Sequence, residues 1–120
     1  PYIEREMASG EATLTAERPL RFVATSGTTG APKHIPVTRA VERHLARMQR
    51  QAAALQFRAC PPAFDGAILV IAGSAEETRS ADGRSIGAAS GLLAGQVPAL
   101  LRERFVLPPG AASVPDATLK

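Results

Sequence analysis

Two short apolar segments enclose a nine-residue loop that is rich in glycine and hydroxyl groups. Residues 25–33 read Thr-Ser-Gly-Thr-Thr-Gly-Ala-Pro-Lys. Residues 20–24 before this loop and residues 34–37 after it are rich in strand-forming residue types. The pattern therefore predicts two β-strands joined by the 25–33 loop. Pro36 places the second strand at a sheet edge or at a strand end, because proline cannot donate to a neighbouring strand.

A long amphipathic helix is predicted directly after the second strand. Thr38 is a suitable N-cap residue for a helix spanning residues 39–58. Apolar residues recur there at intervals of four and three, which is the period of one helix face. They are Val41, Leu45, Met48, Ala52 and Leu55. We expect this stripe to face the core, and we expect Cys60, which precedes two prolines, to end the helix.

The segments farther from the loop complete an α/β pattern. Residues 1–10 predict a short helix that stops at Gly10. The apolar run of residues 67–72 predicts a buried strand of a sheet that is covered on both faces. The order of elements is that of an α/β fold with a layered sheet partly covered by helices.

Two further predictions concern the second half of the chain. Residues 73–87 are polar and indicate a long loop with a hairpin around Asp82 and Gly83. Residues 92–104 indicate a helix with Val97, Leu100, Leu101 and Phe105 on one side.

The composition indicates that this chain is part of a longer polypeptide. Its 120 residues suffice for one small domain, but aromatic residues make up only 4%. Because much of the apolar content is alanine, which buries little area, the core would be shallow. We expect the remainder of a parent polypeptide to complete that core. Pro1 and the weakly patterned residues 110–120 are interpreted in the same way, as cut or trimmed ends.

Charge and cysteine content narrow the class of protein. The net charge of +3 comes from scattered arginines, which is compatible with an anionic ligand but does not indicate nucleic acid. The single cysteine excludes an internal disulfide and suits a reducing cytoplasm. No apolar run approaches the roughly 20 residues of a membrane span. We therefore expect a cytoplasmic protein that binds neither nucleic acid nor membranes.

The 25–33 loop has the residue types that hold phosphate groups. Glycines let backbone N–H groups turn toward an anion, and hydroxyls donate to phosphate oxygens or approach a phosphate-bound Mg²⁺. Lys33 supplies a positive charge for β- and γ-phosphates. The predicted phosphate-binding residues are Thr25, Ser26, Gly27, Thr28, Thr29, Gly30 and Lys33. The simpler alternative is a connecting turn without a ligand, or a degenerate copy that no longer supports catalysis.

Two better-known phosphate motifs do not match the loop. A Walker A loop needs Gly-Lys-Ser/Thr entering a helix, whereas Lys33 follows Pro32 and precedes a predicted strand. The dinucleotide fingerprint also fails, because Gly27 and Gly30 do not make Gly-x-Gly-x-x-Gly.

The loop instead resembles that of the acyl-adenylate-forming superfamily. Its members share Thr/Ser-Ser-Gly-Thr/Ser-Thr-Gly-x-Pro-Lys between two strands, and residues 25–33 match every position. Residues 33–38, Lys-His-Ile-Pro-Val-Thr, are similar to the Gretchen Hagen family of auxin-responsive acyl-acid amido synthetases. The likeness extends over most of residues 2–108. Plant members carry one more residue in the loop, so the shorter form resembles the bacterial members.

This resemblance implies both a fold and a reaction. Residues 1–120 would be a fragment of the large N-terminal ATP-binding (adenylation) domain, an α/β unit with a partial layered sheet and helices. A small carboxylic acid would attack Mg·ATP to give an acyl-adenylate, and an amine or amino acid would then take the acyl group. Lys33 would be the catalytic residue through its charge. We assign no metal ligand here, because the family's acidic motif for Mg²⁺ has no counterpart in these residues.

Two alternatives to an amido synthetase stay open. One is an acyl-CoA ligase of the same superfamily, and the other is a non-catalytic nucleotide-binding or structural fragment. We expect the 120 residues alone to catalyse no adenylation, because most of the active site would lie in the remaining polypeptide.

Several other polar residues have a simpler interpretation than function. Four arginines recur along the long helix, and we favour a solvated face over a phosphate or nucleic-acid surface; they are Arg39, Arg43, Arg47 and Arg50. We expect His34 to fill space beside its strand and His44 to be solvated. We expect Cys60 to be a small buried or half-buried residue.

The long loop and the segment after it hold the last candidates. We assign no role to four charged residues that we expect on a solvated loop surface, namely Glu76, Glu77, Arg79 and Asp82. Ser85, Ser90 and Gly91 lie in a stretch of small residues that a ligand could approach closely.

Overall fold

The structure is a computed structural model that describes residues 2–25 and 30–106. Its strands are β1 (Arg21–Ala24), β2 (His34–Val37), β3 (Thr78–Arg79) and β4 (Ser85–Ala88). Its helices are α1 (Tyr2–Ser9), α2 (Arg39–Ala59), α3 (Ala89–Ala94) and α4 (Ala99–Arg102), with a 3₁₀ turn at Pro61–Phe64. The mixture of helices and strands confirms the predicted α/β class.

The four strands form one mixed sheet in the order β2-β1-β4-β3. β1 pairs antiparallel with β2 and parallel with β4, so that Ala24 lies beside Ala88. β2 is an edge strand, as Pro36 predicts. The parallel pairing brings the ends of β1 and β4 to the same edge of the sheet, next to the 25–33 loop.

β3 and β4 form the hairpin that was predicted around Asp82 and Gly83. Ser80 N–H donates to the carbonyl oxygen of Arg84 at 2.8 Å, and Gly83 has a φ of 87° in the turn. A positive φ suits glycine because it has no Cβ. The prediction of a loop as far as residue 87 is wrong, since β4 lies in the middle of the sheet.

The predicted buried strand at residues 67–72 is not found. Only Ile68 makes a bridge, with Phe105, and Ile71 is 90% exposed. A strand needs a neighbour to pair its backbone groups, and β4 already pairs with β1 and β3. A composition typical of strands is therefore not sufficient to place residues 67–72 in the described sheet.

The predicted helix over residues 92–104 is two short helices, α3 and α4. Pro98 lies immediately before α4 as its N-cap, and its ring prevents a continuous helix through this position. The apolar residues predicted on one side of a single helix therefore do not share a helix face, and Leu100 is largely exposed.

Helix α2 begins and ends where the sequence indicates. Oγ1 of Thr38 accepts a hydrogen bond from Val41 N–H at 3.3 Å, and Cys60 is the C-cap. The predicted orientation is wrong, however, because no residue of α2 is buried. Leu45 packs against the core, while the other half-buried positions are Glu42, Ala46, Gln49 and Ala53. At about 100° per residue, the apolar stripe is turned roughly a quarter turn from the side that packs.

The sheet has a different cluster on each face, because successive strand residues point to opposite sides. Val23, Val37 and Leu92 form the core on the face that carries α2 and α3. On this side Arg21 Nε pairs with Oε1 of Glu42 at 2.9 Å, which draws the polar side of α2 toward the sheet.

Phe22 is fully buried and lies beneath the guanidinium of Arg84, whose Cζ is 4.6 Å from the ring centroid. Arg84 also donates to the carbonyl oxygens of Glu6 at 2.5 Å and Pro19 at 3.2 Å. The fully buried carboxylate of Glu6 accepts from Leu14 N–H at 2.8 Å. Arg84 thus links α1, the segment before β1 and the hairpin.

Asp82 belongs to this cluster, so its predicted place on a solvated loop surface is wrong. Its Oδ2 is 2.6 Å from Arg84 Nε in an ion pair whose geometry is not that of a well-aligned hydrogen bond. Burial acts to raise the pKa of Asp82, but a hydrogen bond from Ser80 and the charge of Arg84 together lower it below its ordinary value. The ionised form is therefore the one that the fold stabilises.

Candidate functional site

The ends of the 25–33 loop are held together by two hydrogen bonds. Thr25 N–H donates to the carbonyl oxygen of Lys33 at 3.0 Å, and Lys33 N–H donates to Oγ1 of Thr25 at 3.1 Å. Thr25 directly follows β1, and Lys33 directly precedes β2. The antiparallel pair is thus extended by one residue on each strand, which fixes where the loop leaves and rejoins the sheet.

The part of the loop that the structure describes is open to solvent. Thr25, Gly30 and Lys33 are exposed, and a Cβ at Gly30 would meet no atom within 4 Å. Within residues 2–25 and 30–106, the ammonium of Lys33 has no ion-pair partner. The other predicted phosphate-binding residues, Ser26, Gly27, Thr28 and Thr29, lie outside the described residues.

This edge of the sheet is a favourable place for a ligand. In α/β sheets, ligands bind beyond the carboxyl ends of parallel strands. β1 and β4 are parallel, and their carboxyl ends are Ala24 and Ala88. The hydroxyl of Thr25 and the ammonium of Lys33 therefore lie at the edge of the sheet where ligands bind in folds of this type.

The small residues around the end of β4 and the start of α3 contact the chain's own backbone. Oγ of Ser90 accepts a hydrogen bond from Gly73 N–H at 3.0 Å. A Cβ at Gly91 would overlap the carbonyl oxygen of Gly73, and a Cβ at Gly87 would overlap that of Ala75. The close approach at Ser90 and Gly91 is therefore made by the chain's own backbone at residues 73–75. Ser85 lies in β4, half-buried, opposite Arg79.

The sequence interpretation missed that β4 pairs with β1 and that residues 73–75 pack against β4 and α3. The signal was the spacing of Gly87 and Gly91, small residues on either side of the start of α3. Glycines so spaced permit another backbone segment to pack closely. That spacing indicates a packing contact as readily as a ligand contact, so it did not decide between them.

The remaining candidates lie at the surface, with one exception. His34 is half-buried in β2 beside Ala24, and His44 is exposed. Cys60 is exposed, which corrects the expectation of a buried or half-buried thiol. Glu76 pairs with Arg79 at the surface of the hairpin. The arginines of α2 are exposed, as expected of a solvated face; they are Arg39, Arg43, Arg47 and Arg50.

Residues 2–25 and 30–106 contain no group of three or more His, Cys, Asp or Glu side chains placed to hold a metal ion. Among the helices that the structure describes, none has both the length and the apolar character needed to cross a bilayer.

Comparison with known proteins identifies the family. A search of curated proteins gave no significant match, and a search of solved structures gave none either. A family model described as the GH3 family N-terminal domain matches residues 1–119. This span includes the 25–33 loop, both flanking strands and the arrangement at the sheet edge. The chain therefore belongs to the GH3 family, whose members are in general adenylating enzymes of the acyl-acid amido synthetase type.

Proposed function

We propose that the chain holds the polyphosphate of Mg·ATP in an enzyme that joins a carboxylic acid to an amine. In the first step, a carboxylate oxygen of the acid bonds to the α-phosphorus, and pyrophosphate leaves with the electron pair of the broken P–O bond. In the second step, the amine nitrogen bonds to the acyl carbon, AMP leaves, and the amine loses a proton. The chain would act on the departing pyrophosphate.

One observation carries this proposal, namely the pair of hydrogen bonds between Thr25 and Lys33. They anchor both ends of a loop of glycines and hydroxyls at the carboxyl end of β1. The Thr25 hydroxyl accepts from Lys33 N–H, which leaves its own hydrogen free to donate to a phosphate oxygen. The exposed ammonium of Lys33 can reach the same anion.

Lys33 and the loop hydroxyls would accelerate the first step by stabilising charge. Negative charge develops on pyrophosphate as the P–O bond breaks, and a fixed cation and fixed donors lower the energy of that state. The residues we assign to this role are Thr25, Ser26, Gly27, Thr28, Thr29, Gly30 and Lys33. Mg²⁺ would enter with ATP, and the loop hydroxyls have suitable oxygens to approach it.

Family membership favours an amine as acceptor over coenzyme A. An acyl-CoA ligase shares the first step and differs only in the acceptor. A non-catalytic nucleotide-binding protein would keep the loop but support neither step. We propose that the remaining site residues belong to a longer polypeptide of which residues 1–120 form one part.

Carboxylate-dependent ATP–pyrophosphate exchange in that longer polypeptide tests the first step. We expect exchange in the wild type and a loss of about 10²-fold in Lys33→Ala, which removes one charge from the leaving group. Arg39→Ala is the matched control, because it removes an exposed cation at the start of α2. Unchanged exchange in Lys33→Ala would contradict the assignment.

The acceptor is tested separately with the acyl-adenylate formed in place. We expect release of AMP to be stimulated by amino acids and not by coenzyme A. Stimulation by coenzyme A alone would instead identify an acyl-CoA ligase. Nucleotide binding without any exchange would identify the non-catalytic alternative.

A further inference from the structure

Residues 68–72 form an apolar segment that is not part of the four-stranded sheet. Their sequence is Ile-Leu-Val-Ile-Ala, without a charged residue, a glycine or a proline. The odd-numbered side chains, Leu69 and Ile71, are 62% and 90% exposed, whereas the even-numbered ones are half-buried. This period of two is that of a β-strand, whose successive side chains point to opposite faces. The 68–72 segment therefore has the alternation of a strand, although only Ile68 makes a bridge.

The bridge at Ile68 joins this segment to a later part of the chain. Ile68 N–H donates to the carbonyl oxygen of Arg104 at 2.7 Å, and the carbonyl oxygen of Ile68 accepts from Val106 N–H at 3.0 Å. The bridge that results, between Ile68 and Phe105, is parallel. Parallel strands are joined by a crossover of a dozen or more residues that usually contains a helix, and the connection here includes α3 and α4. The two segments thus have the connectivity of a second, parallel pair of strands.

The opposite edge of the 68–72 segment has no neighbouring strand within residues 2–25 and 30–106. Both backbone groups of Ile68 face residues 104–106, and along a strand these groups alternate between the two edges. The backbone groups of Leu69 and Ile71 are consequently directed to the other edge. In the described part of the chain, neither residue makes a backbone hydrogen bond. This edge therefore offers free donors and acceptors to another strand.

A parallel pair of two strands is not a stable arrangement by itself. Parallel sheets are covered on both faces, and small sheets need three or more strands. An open apolar edge without charges or proline promotes association between copies, and natural proteins cover such edges. The outer edge of β2 differs, because Pro36 lacks the N–H that an added strand would need. The edge at Leu69 and Ile71 is thus better suited to accept a further strand.

We propose that an apolar strand elsewhere in the longer polypeptide pairs with the free edge at Leu69 and Ile71, and that the segments around this strand cover the two side chains. The added strand is rich in Val, Ile or Leu, as strands buried on both faces are. A strand of the same polypeptide is favoured over a second copy, because linkage gives it an effective concentration of about millimolar. The inference rests on the longer polypeptide of the proposed function, but not on its reaction.

Amide hydrogen exchange, followed by NMR spectroscopy without nucleotide or carboxylic acid, tests the pairing. In the 120-residue chain we expect the amides of Leu69 and Ile71 to exchange at nearly the rate of an unfolded chain. In the longer polypeptide we expect exchange slower by about 10²-fold or more, because a paired amide exchanges only when its hydrogen bond opens. The amide of Val23, inside the central strand β1, is the control and should be protected in both.

Substitution of Ile71 tests whether its side chain is covered. In the longer polypeptide, Ile71→Asp should lower the urea midpoint of unfolding by about 1 M or more, because it places a charge at a covered apolar position. Ile71→Val is the matched control, since it keeps an apolar β-branched side chain and should change the midpoint little. In the 120-residue chain, where Ile71 is 90% exposed, both variants should unfold at the wild-type urea concentration.

Four results would overturn the proposal. Exchange at Leu69 and Ile71 that is as fast in the longer polypeptide as in the 120-residue chain would exclude the added strand. Tolerance of Ile71→Asp in the longer polypeptide would exclude a cover over this side chain. The expected urea result without protection of the two amides would identify a helix or loop as the occupant. Protection that grows with the concentration of the 120-residue chain would identify a second copy.

Neither measurement involves ATP. A negative result would therefore leave the assignment of Lys33 to pyrophosphate unaffected, and loss of that assignment would leave this proposal unaffected.

Discussion

Lys33 N–H donates to Oγ1 of Thr25 at 3.1 Å, while Thr25 N–H donates to the carbonyl oxygen of Lys33 at 3.0 Å. The side chain of Thr25 and the backbone groups of Thr25 and Lys33 thus close the 25–33 loop at the point where it leaves the sheet. The hydroxyl that accepts from Lys33 belongs to the first residue of the phosphate-loop pattern. Loop closure and the proposed phosphate contact therefore involve the same side chain.

Replacing Thr25 with valine should open this closure. Thr25→Val keeps the shape but removes the acceptor of Lys33 N–H, and we expect a loss of about 1 kcal/mol in the free energy of unfolding. Urea denaturation followed by circular dichroism measures it. Thr25→Ser is the control, because it keeps the hydroxyl and should retain most of the stability. Equal losses in both variants would show that the hydrogen bond is not responsible.

Gly91 should tolerate no side chain. A Cβ there would overlap the backbone at residues 73–75, and we expect Gly91→Ala to cost about 1–3 kcal/mol. Gly95→Ala is the matched control four positions later. Its nearest neighbour, the carbonyl oxygen of Leu92, would be 3.5 Å from the new Cβ, and its φ is −66°. This control should be neutral or slightly stabilising. If both variants unfold at the wild-type urea concentration, residues 73–75 do not pack on α3.

The ionisation of Asp82 should make the free energy of unfolding depend on pH in the acid range. Its folded-state pKa lies below the ordinary value of 3.8, so its contribution is present above that pH and is lost as the pH falls through the lower folded-state pKa. At pH 7 we expect Asp82→Asn to cost about 2 kcal/mol, because Arg84 loses its carboxylate but keeps two carbonyl acceptors. The difference from wild type should shrink below about pH 4.

Urea denaturation at several pH values measures this difference. Glu76→Gln is the control, because it removes a carboxylate that pairs with Arg79 at the surface of the same hairpin. We expect it to cost less than about 0.5 kcal/mol. A difference between wild type and Asp82→Asn that is the same at pH 3 and pH 7 would be inconsistent with the lowered pKa.

Local signals in the sequence predicted the elements around the site correctly. Thr38 marks the first turn of α2 because its hydroxyl can accept from a free backbone N–H. Pro36 marks an edge strand because it lacks a donor. Gly83 marks the hairpin turn because it adopts a positive φ. The helix start, the edge strand and the hairpin turn each depend on interactions within a few residues along the chain.

The errors concern interactions between distant segments. β4, which reads Ser-Ile-Gly-Ala, has too few strand-forming residues to stand out, and pairing with β1 brings it to the centre of the sheet. Residues 67–72 have a strand-like composition, but among the described residues only Ile68 makes a bridge, with Phe105. For α2, the spacing of the apolar residues predicted the helix correctly but not the side that faces the sheet. The ion pair between Arg21 and Glu42 lies on a different side of the helix from the apolar residues. Spacing along the chain reports none of these contacts.

For the candidate site, the sequence supplied the residue types and the structure supplied the closure of the loop. The pattern of glycines, hydroxyls and Lys33 was visible from the sequence. The reciprocal hydrogen bonds of Thr25 and Lys33 extend the antiparallel pair of β1 and β2, whereas the position of β4, beside which residues 73–75 pack, depends on the parallel pairing of β1 with β4. That pairing joins segments about sixty residues apart.

The central claim is that Lys33 acts on the β- and γ-phosphates of ATP, and nucleotide selectivity tests it most directly. Affinities for Mg·ATP and for AMP are measured by isothermal titration calorimetry in the longer polypeptide, for wild type, Lys33→Ala and the control Arg39→Ala. We expect Lys33→Ala to weaken Mg·ATP by about tenfold or more and to leave AMP unchanged, because AMP lacks the two outer phosphates. Equal weakening of ATP and AMP, or no weakening of either, would contradict the claim.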